Sequence, residues 1–173
     1  VTVTSTGNIT ATNNEGIFAG GFDGNTTVTS TGNITTLGYS ASGIVANSFL
    51  GTVYVMQTGN IETRGDYSHG IFANSEDGSV VVDQTGTITT DGAYAFGILA
   101  YSVFGSATVT QTGDIATSGF SAYGIVADAD GAAKVTHTGT ILTKGDFAYG
   151  IYAYSYGGSI TINQTGNVTT HGT

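Results

Sequence analysis

Apolar and polar residues alternate in short bursts along this chain. Ile, Val, Thr and aromatic residues make segments four to seven residues long, which is the length and composition of β-strands. Gly, Asn, Asp and Ser punctuate them, as turns require. A Thr-Gly pair reveals a longer period. Its glycines are Gly7, Gly32, Gly59, Gly86, Gly113, Gly139 and Gly166, spaced by 25, 27, 27, 27, 26 and 27 residues. A unit close to 27 residues therefore recurs about six times and fills the chain from 1 to 173 as one array.

Within each unit, further glycines recur six residues after the marker (Gly38, Gly65, Gly92, Gly119, Gly145, Gly172), with others near eleven and nineteen. Three segments lie between them. The first carries Ile9, Ile34, Ile61, Ile88, Ile115, Ile141 and Val168, with Thr36, Thr63, Thr90, Thr117, Thr143 and Thr170 two residues later on the same side. The second pairs an Ile with an Ala two residues on, as in Ile71 and Ala73 or Ile98 and Ala100. The third alternates Val53 with Val55, Val80 with Val82 and Ile160 with Ile162. No single unit can bury such faces alone, but stacked copies place Ile on Ile and Val on Val. The pattern predicts an all-β parallel β-helix (a β-solenoid) with three strands per coil and about 27 residues per coil. A right-handed coil is adopted because right-handed crossovers dominate between parallel strands. Glycine at the corners answers a need for positive φ or close backbone approach. The run from Ala11 to Gly16 is two residues shorter than its counterpart in the next coil, so one corner should be tighter there.

Composition narrows the chemistry. Three Lys and Arg residues stand against twelve Asp and Glu, a net charge of −9. Arg64, Lys134 and Lys144 cannot form the basic stripe that nucleic acid or an anionic membrane requires. Absence of Cys excludes disulfides, thiolate metal sites and cysteine nucleophiles. The longest apolar run, Ala95 to Gly105, is 11 residues, too short to cross a bilayer as a helix.

The units TGNITTLGYSASGIVANSFLGTVYVMQ (Thr31 to Gln57) and TGTITTDGAYAFGILAYSVFGSATVTQ (Thr85 to Gln111) resemble the repeats of bacterial autotransporter passenger domains and related secreted β-helical adhesins. The resemblance covers essentially the whole chain and rests on scaffold elements. It implies a domain exported from a Gram-negative cell and displayed on, or released from, the outer membrane. A barrel, a signal peptide and a protease-like domain are all missing from the sequence, so it reads as a slice of a longer passenger.

Candidate chemistry is sparse. His69, His137 and His171 occupy different offsets, so no metal site is expected. Asp66 and Asp146 share an offset but stand three coils apart, too far to share a proton or a cation. No catalytic residue and no cofactor are assigned. Glu76-Asp77-Gly78 and Asp128-Ala129-Asp130-Gly131 both read as solvated corners after the second strand; the later bidentate Glu of a calcium loop is absent. Thr-x-Thr pairs (Thr2 and Thr4, Thr27 and Thr29, Thr108 and Thr110) suggest an ice-binding array, but Tyr54, Met56, Val81, Asp83 and Lys134 interrupt it. Asn in the Asn-x-Thr sequons at Asn8, Asn25, Asn33, Asn163 and Asn167 is read as serving the turn.

Aromatics carry more information, since 17 of 18 Phe and Tyr residues lie between the second glycine and the corner after the second strand. Tyr39, Tyr67, Tyr94, Phe120 and Phe147 mark the first corner and are expected to stack over it. Alternation places Phe18, Val45, Phe72, Leu99, Val126 and Tyr152 outside on the second strand. Joined by Tyr101, Tyr154 and Tyr156, they form an outward apolar stripe large enough to mark an interaction surface or to lie under another part of a longer chain. The partner-binding residues assigned are Phe18, Phe72, Leu99, Tyr101, Tyr152, Tyr154 and Tyr156. The reading is a non-enzymatic, surface-displayed or secreted adhesin or stalk that binds a host or bacterial surface protein or a glycan. Alternatives are the scaffold of a polysaccharide-acting enzyme and a self-assembling filament.

Overall fold

A computed structural model describes the whole chain, Val1–Thr173. Twenty strands form three parallel sheets, and each strand inside a sheet pairs with its equivalents one coil before and after. The first sheet has seven three-residue strands, beginning Ile9–Ala11 and Ile34–Thr36 and ending at Val168–Thr170. The second has six five-residue strands, among them Ile71–Ser75, Ile98–Ser102, Ile125–Ala129 and Ile151–Ser155. The third has seven, mostly six residues long, among them Val80–Thr85, Ala107–Thr112 and Ala133–Thr138. The result is a parallel β-solenoid of about six turns, as the 27-residue period predicts.

Register follows the repeat. Ile61 opposes Ile88, Ile88 opposes Ile115, and Ile115 opposes Ile141. Val55, Val82, Val109 and Val135 stack likewise in the third sheet. These columns form one core of 25 buried residues. Burying each Ile or Val is worth about 1.5–3 kcal/mol before chain entropy is subtracted.

Polar columns complete the interior. The buried Thr hydroxyls of the first sheet donate to a corner carbonyl five residues on: Thr63 to Ser68, Thr90 to Ala95 and Thr117 to Ala122, each at 2.6 Å. At the end of the third strand, Gln57, Gln84 and Gln111 donate through Nε2 to the carbonyls of Gly32, Gly59 and Gly86 one coil back, at 2.8–2.9 Å. His137 replaces Gln in the next coil and meets the Gly113 carbonyl at 2.9 Å. On the rim, Asn33 Oδ1 accepts from the Asn60 N–H, and Asn60 Oδ1 from that of Thr87, both at 2.9 Å. Asn thus ties neighbouring coils together.

Two sets of glycines show why the residue is needed. Marker glycines adopt positive φ, between 104° and 140°. The glycines six residues later have ordinary φ, but an added Cβ would strike the backbone one coil back, at Gly92 the carbonyl of Gly65. The short corner of the first coil lacks the left-handed residue found near Ser40, Tyr67, Tyr94, Ser121 and Phe147 in the other coils. One position differs from the sequence reading. Asp128 does not lie in a solvated corner but within the strand Ile125–Ala129 and faces outward, while Asp130 and Gly131 make the turn. The unit there is one residue shorter than its neighbours, so the corner has lost the residue that would follow Asp130.

Replacing Gly86 (φ 128°) with Ala adds both left-handed strain and a clash with the Gly59 backbone. It should lower stability by at least about 2 kcal/mol in denaturant titrations. Val81→Thr, on the outer face of the same coil, should change it by less than about 1 kcal/mol.

Candidate interaction face

The first corner and the outer side of the second sheet carry most of the exposed aromatic surface. Tyr39, Tyr67, Tyr94, Phe120 and Phe147 form an unbroken ladder with ring centroids 5.7, 5.2, 5.5 and 5.6 Å apart, within aromatic contact distance. They stack as expected, yet they remain 38–71% exposed. Three of the rings sit on left-handed backbone, at Tyr67 (φ 58°), Tyr94 (φ 55°) and Phe147 (φ 56°). A bulky residue is an outlier there. Cross-coil hydrogen bonds from the N–H of Tyr67 and Tyr94, at 2.8 Å, help to hold the conformation.

Beside it runs a second ladder that alternation along one strand did not reveal. His69, Phe96, Tyr123 and Tyr149 follow one another at 5.0 Å. These rings lean toward the second sheet: His69 lies 5.7 Å from Phe72, and Tyr123 and Tyr149 lie 6.2 and 6.1 Å from Tyr152. The predicted stripe is therefore partly covered. Val45 and Val126 are only 7% and 5% exposed, and Phe72 and Leu99 are half-buried.

Phe18 is 63% exposed at one end of the stripe, near the stacked pair Phe22 and Phe49 at 4.9 Å. With Asn47 and Asn74 these three rings border an open concavity of about 500 Å³. Toward the other end, Tyr101, Tyr152, Tyr154 and Tyr156 are exposed. The seven assigned residues thus share one side of the solenoid, in two open regions joined by a half-covered middle. Their aromatic neighbours at the corner were missed because alternation along a strand says nothing of a ring rooted three residues before it, as His69 is before Phe72 and Tyr149 before Tyr152.

Several carboxylates are tied to a neighbouring coil. Asp66 Oδ1 accepts from the Ala93 N–H at 2.8 Å, and Asp91 Oδ1 from the Ser118 hydroxyl at 3.0 Å. The Thr140 N–H, at 2.8 Å, holds the Asp114 carboxyl below the usual range. Arg64 is paired with Glu62 at 2.6 Å. No three His, Asp or Glu side chains converge as a metal site would need. Asp128 behaves otherwise, because burial raises its carboxyl above the usual value. The Thr-x-Thr array is broken as its sequence suggests, since Thr27 opposes Tyr54, Thr29 opposes Met56 and Thr108 opposes Lys134.

A three-sheet parallel solenoid with one aromatic side defines a β-helical repeat domain. Across residues 1–173 the chain matches the BigA third pectate lyase-like domain, and it belongs to that family. The family is a β-helix domain of a bacterial surface protein. No curated protein and no solved structure matches the chain.

Burial pushes His69 down to about 4, and its Nδ1 accepts the Phe96 N–H at 3.1 Å, so the neutral ring carries its proton on Nε2. Because the folded value lies below the unfolded one of 6.5, this contribution to stability is intact above about pH 6.5 and is lost as pH falls toward 4, by at most about 3 kcal/mol. Ser42, at the same offset one coil earlier, accepts the His69 N–H at 3.0 Å. His69→Ser should therefore keep an acceptor for Phe96 and flatten the fall in melting temperature between pH 6.5 and 4, as thermal melts at stepped pH would show. A slope equal to the parent's would contradict this origin.

Proposed function

We propose that this domain is a non-enzymatic stalk and adhesive segment of an exported Gram-negative surface protein, and that its aromatic side docks a protein or glycan on a host or neighbouring cell. The observation that carries the reading is the exposed ladder from Tyr39 to Phe147, kept on left-handed backbone at three positions where glycine would be less strained. Strain of this kind concentrates where a surface is used. Aromatic rings supply large contact area at low entropy cost and anchor interfaces. Surface complementarity is the mechanism, and a rigid ladder that recurs at each coil presents many weak contacts along one line.

The paired substitution Phe72→Ser with Tyr152→Ser is expected to abolish binding of the purified domain to its target cells while leaving the far-ultraviolet circular dichroism unchanged. Tyr39→Ser with Phe147→Ser should weaken binding at least about tenfold, the loss of about 1.4 kcal/mol. Undiminished binding by both pairs would overturn the reading. Turnover of an acidic or neutral polysaccharide by the domain would overturn its non-enzymatic part.

A further inference from the structure

The repeat is broken at one corner, and a small cavity lies there. Between the second and third sheets most coils place two residues ahead of a glycine, such as Val103-Phe104-Gly105, whereas the following coil has Asp130-Gly131 alone. The same coil has Ala129 where four of the others have Ser48, Ser75, Ser102 and Ser155. Those serines donate to the preceding coil's glycine carbonyl and accept a glycine N–H three residues on. The shortened corner stays in register, with Gly131 N–H donating to the Gly105 carbonyl at 2.7 Å and Gly157 N–H to that of Asp130 at 2.8 Å. Losing one residue while keeping the backbone ladder leaves a notch of about 150 Å³.

Its walls are specific. Tyr101, Asp128 and Tyr154 oppose one another in successive strands, so the carboxylate lies between two tyrosines one strand spacing away on either side. Asp130 and Tyr156 close the corner side, and Val103 lines the wall of the preceding coil. Neither carboxylate has a basic partner in the chain, whose one ion pair is Arg64 with Glu62.

We propose that this notch receives the side chain of a lysine or arginine from a partner protein. The inference rests on the interaction-face reading and specifies the partner's chemistry at one point of that face. Two acids supply the charge, and tyrosine rings attract a cation through their faces. The partly desolvated setting strengthens both effects. The notch has room for the end of one basic side chain. Charge complementarity favours such a partner throughout, because the domain carries −9 and only three permanent cations.

The test is a titration of the 15N-labelled domain with acetyl-Gly-Lys-Gly-amide, acetyl-Gly-Arg-Gly-amide and the isosteric norleucine peptide, followed by amide chemical shifts. Saturable shifts at Tyr101, Asp128 and Tyr154 are expected with the basic peptides, at least tenfold weaker with norleucine and at least tenfold weaker in Asp128→Asn. That variant removes a carboxylate whose ionised form burial disfavours, so it should fold at least as well as the parent. Equal response to norleucine, shifts located elsewhere, or undiminished binding by Asp128→Asn would overturn the proposal. Cell binding measured in parallel separates it from the broader reading. If Phe72→Ser with Tyr152→Ser abolishes cell binding while Asp128→Asn leaves it unchanged and the peptides fail, the face stands and the notch falls.

Discussion

Backbone N–H groups of each coil bond to carbonyls of its neighbours at close to 3 Å in strands and corners alike. Of 112 backbone hydrogen bonds, 51 lie outside the sheets, and nearly all of these also join one coil to the next. Coils are thus held one strand spacing apart around the whole perimeter. At that distance every side chain touches its equivalent above and below, and like must tolerate like. Ile and Val meet this condition by packing. Asn, Ser and Gln meet it by bonding to the adjacent coil's backbone, and glycine meets it by having no Cβ to collide. A carboxylate meets it least well, because two in register would repel.

Most of the fold was legible in the sequence for this reason. A spacing of 25 to 27 residues between Thr-Gly pairs, with Ile at one fixed offset, leaves stacking as the means of burying the apolar columns. The buried Gln column was equally visible in the recurring Gln-Thr-Gly of Gln57, Gln84, Gln111 and Gln164, but a polar residue two before a turn gives no local reason to lie inside. Its reason is the glycine carbonyl one coil back, a contact 25 residues distant.

The outer face was less legible, for a physical reason of the same kind. Alternation says which side of a strand a residue takes, and it placed Phe18, Tyr101, Tyr152, Tyr154 and Tyr156 correctly on the exposed side. It cannot say that His69, rooted in the preceding corner, will lean over Phe72, or that Val45 and Val126 will be almost fully buried. Nor does it show that a one-residue loss after Asp130 keeps Asp128 in the strand and opens a notch beside it. Where local rules are broken and the ladder still closes, function is the reasonable place to look. The left-handed rings at Tyr67, Tyr94 and Phe147 and the corner shortened after Asp130 are two such places.

Corner length should then be a free variable and strand register a fixed one. A one-residue slip within a strand sends its whole inward set to the outside, whereas the corner already varies between Phe104 and the residue missing after Asp130. The direct measurement is thermal unfolding of two insertion variants, one with a serine between Phe104 and Gly105 and one with a serine between Val109 and Thr110 inside the strand Ala107–Thr112. The corner variant is expected to melt cooperatively within about 3 °C of the parent, and the strand variant to lose at least about 10 °C or its cooperativity altogether. Equal loss from both insertions would contradict an account in which the inter-coil strand register holds the molecule together.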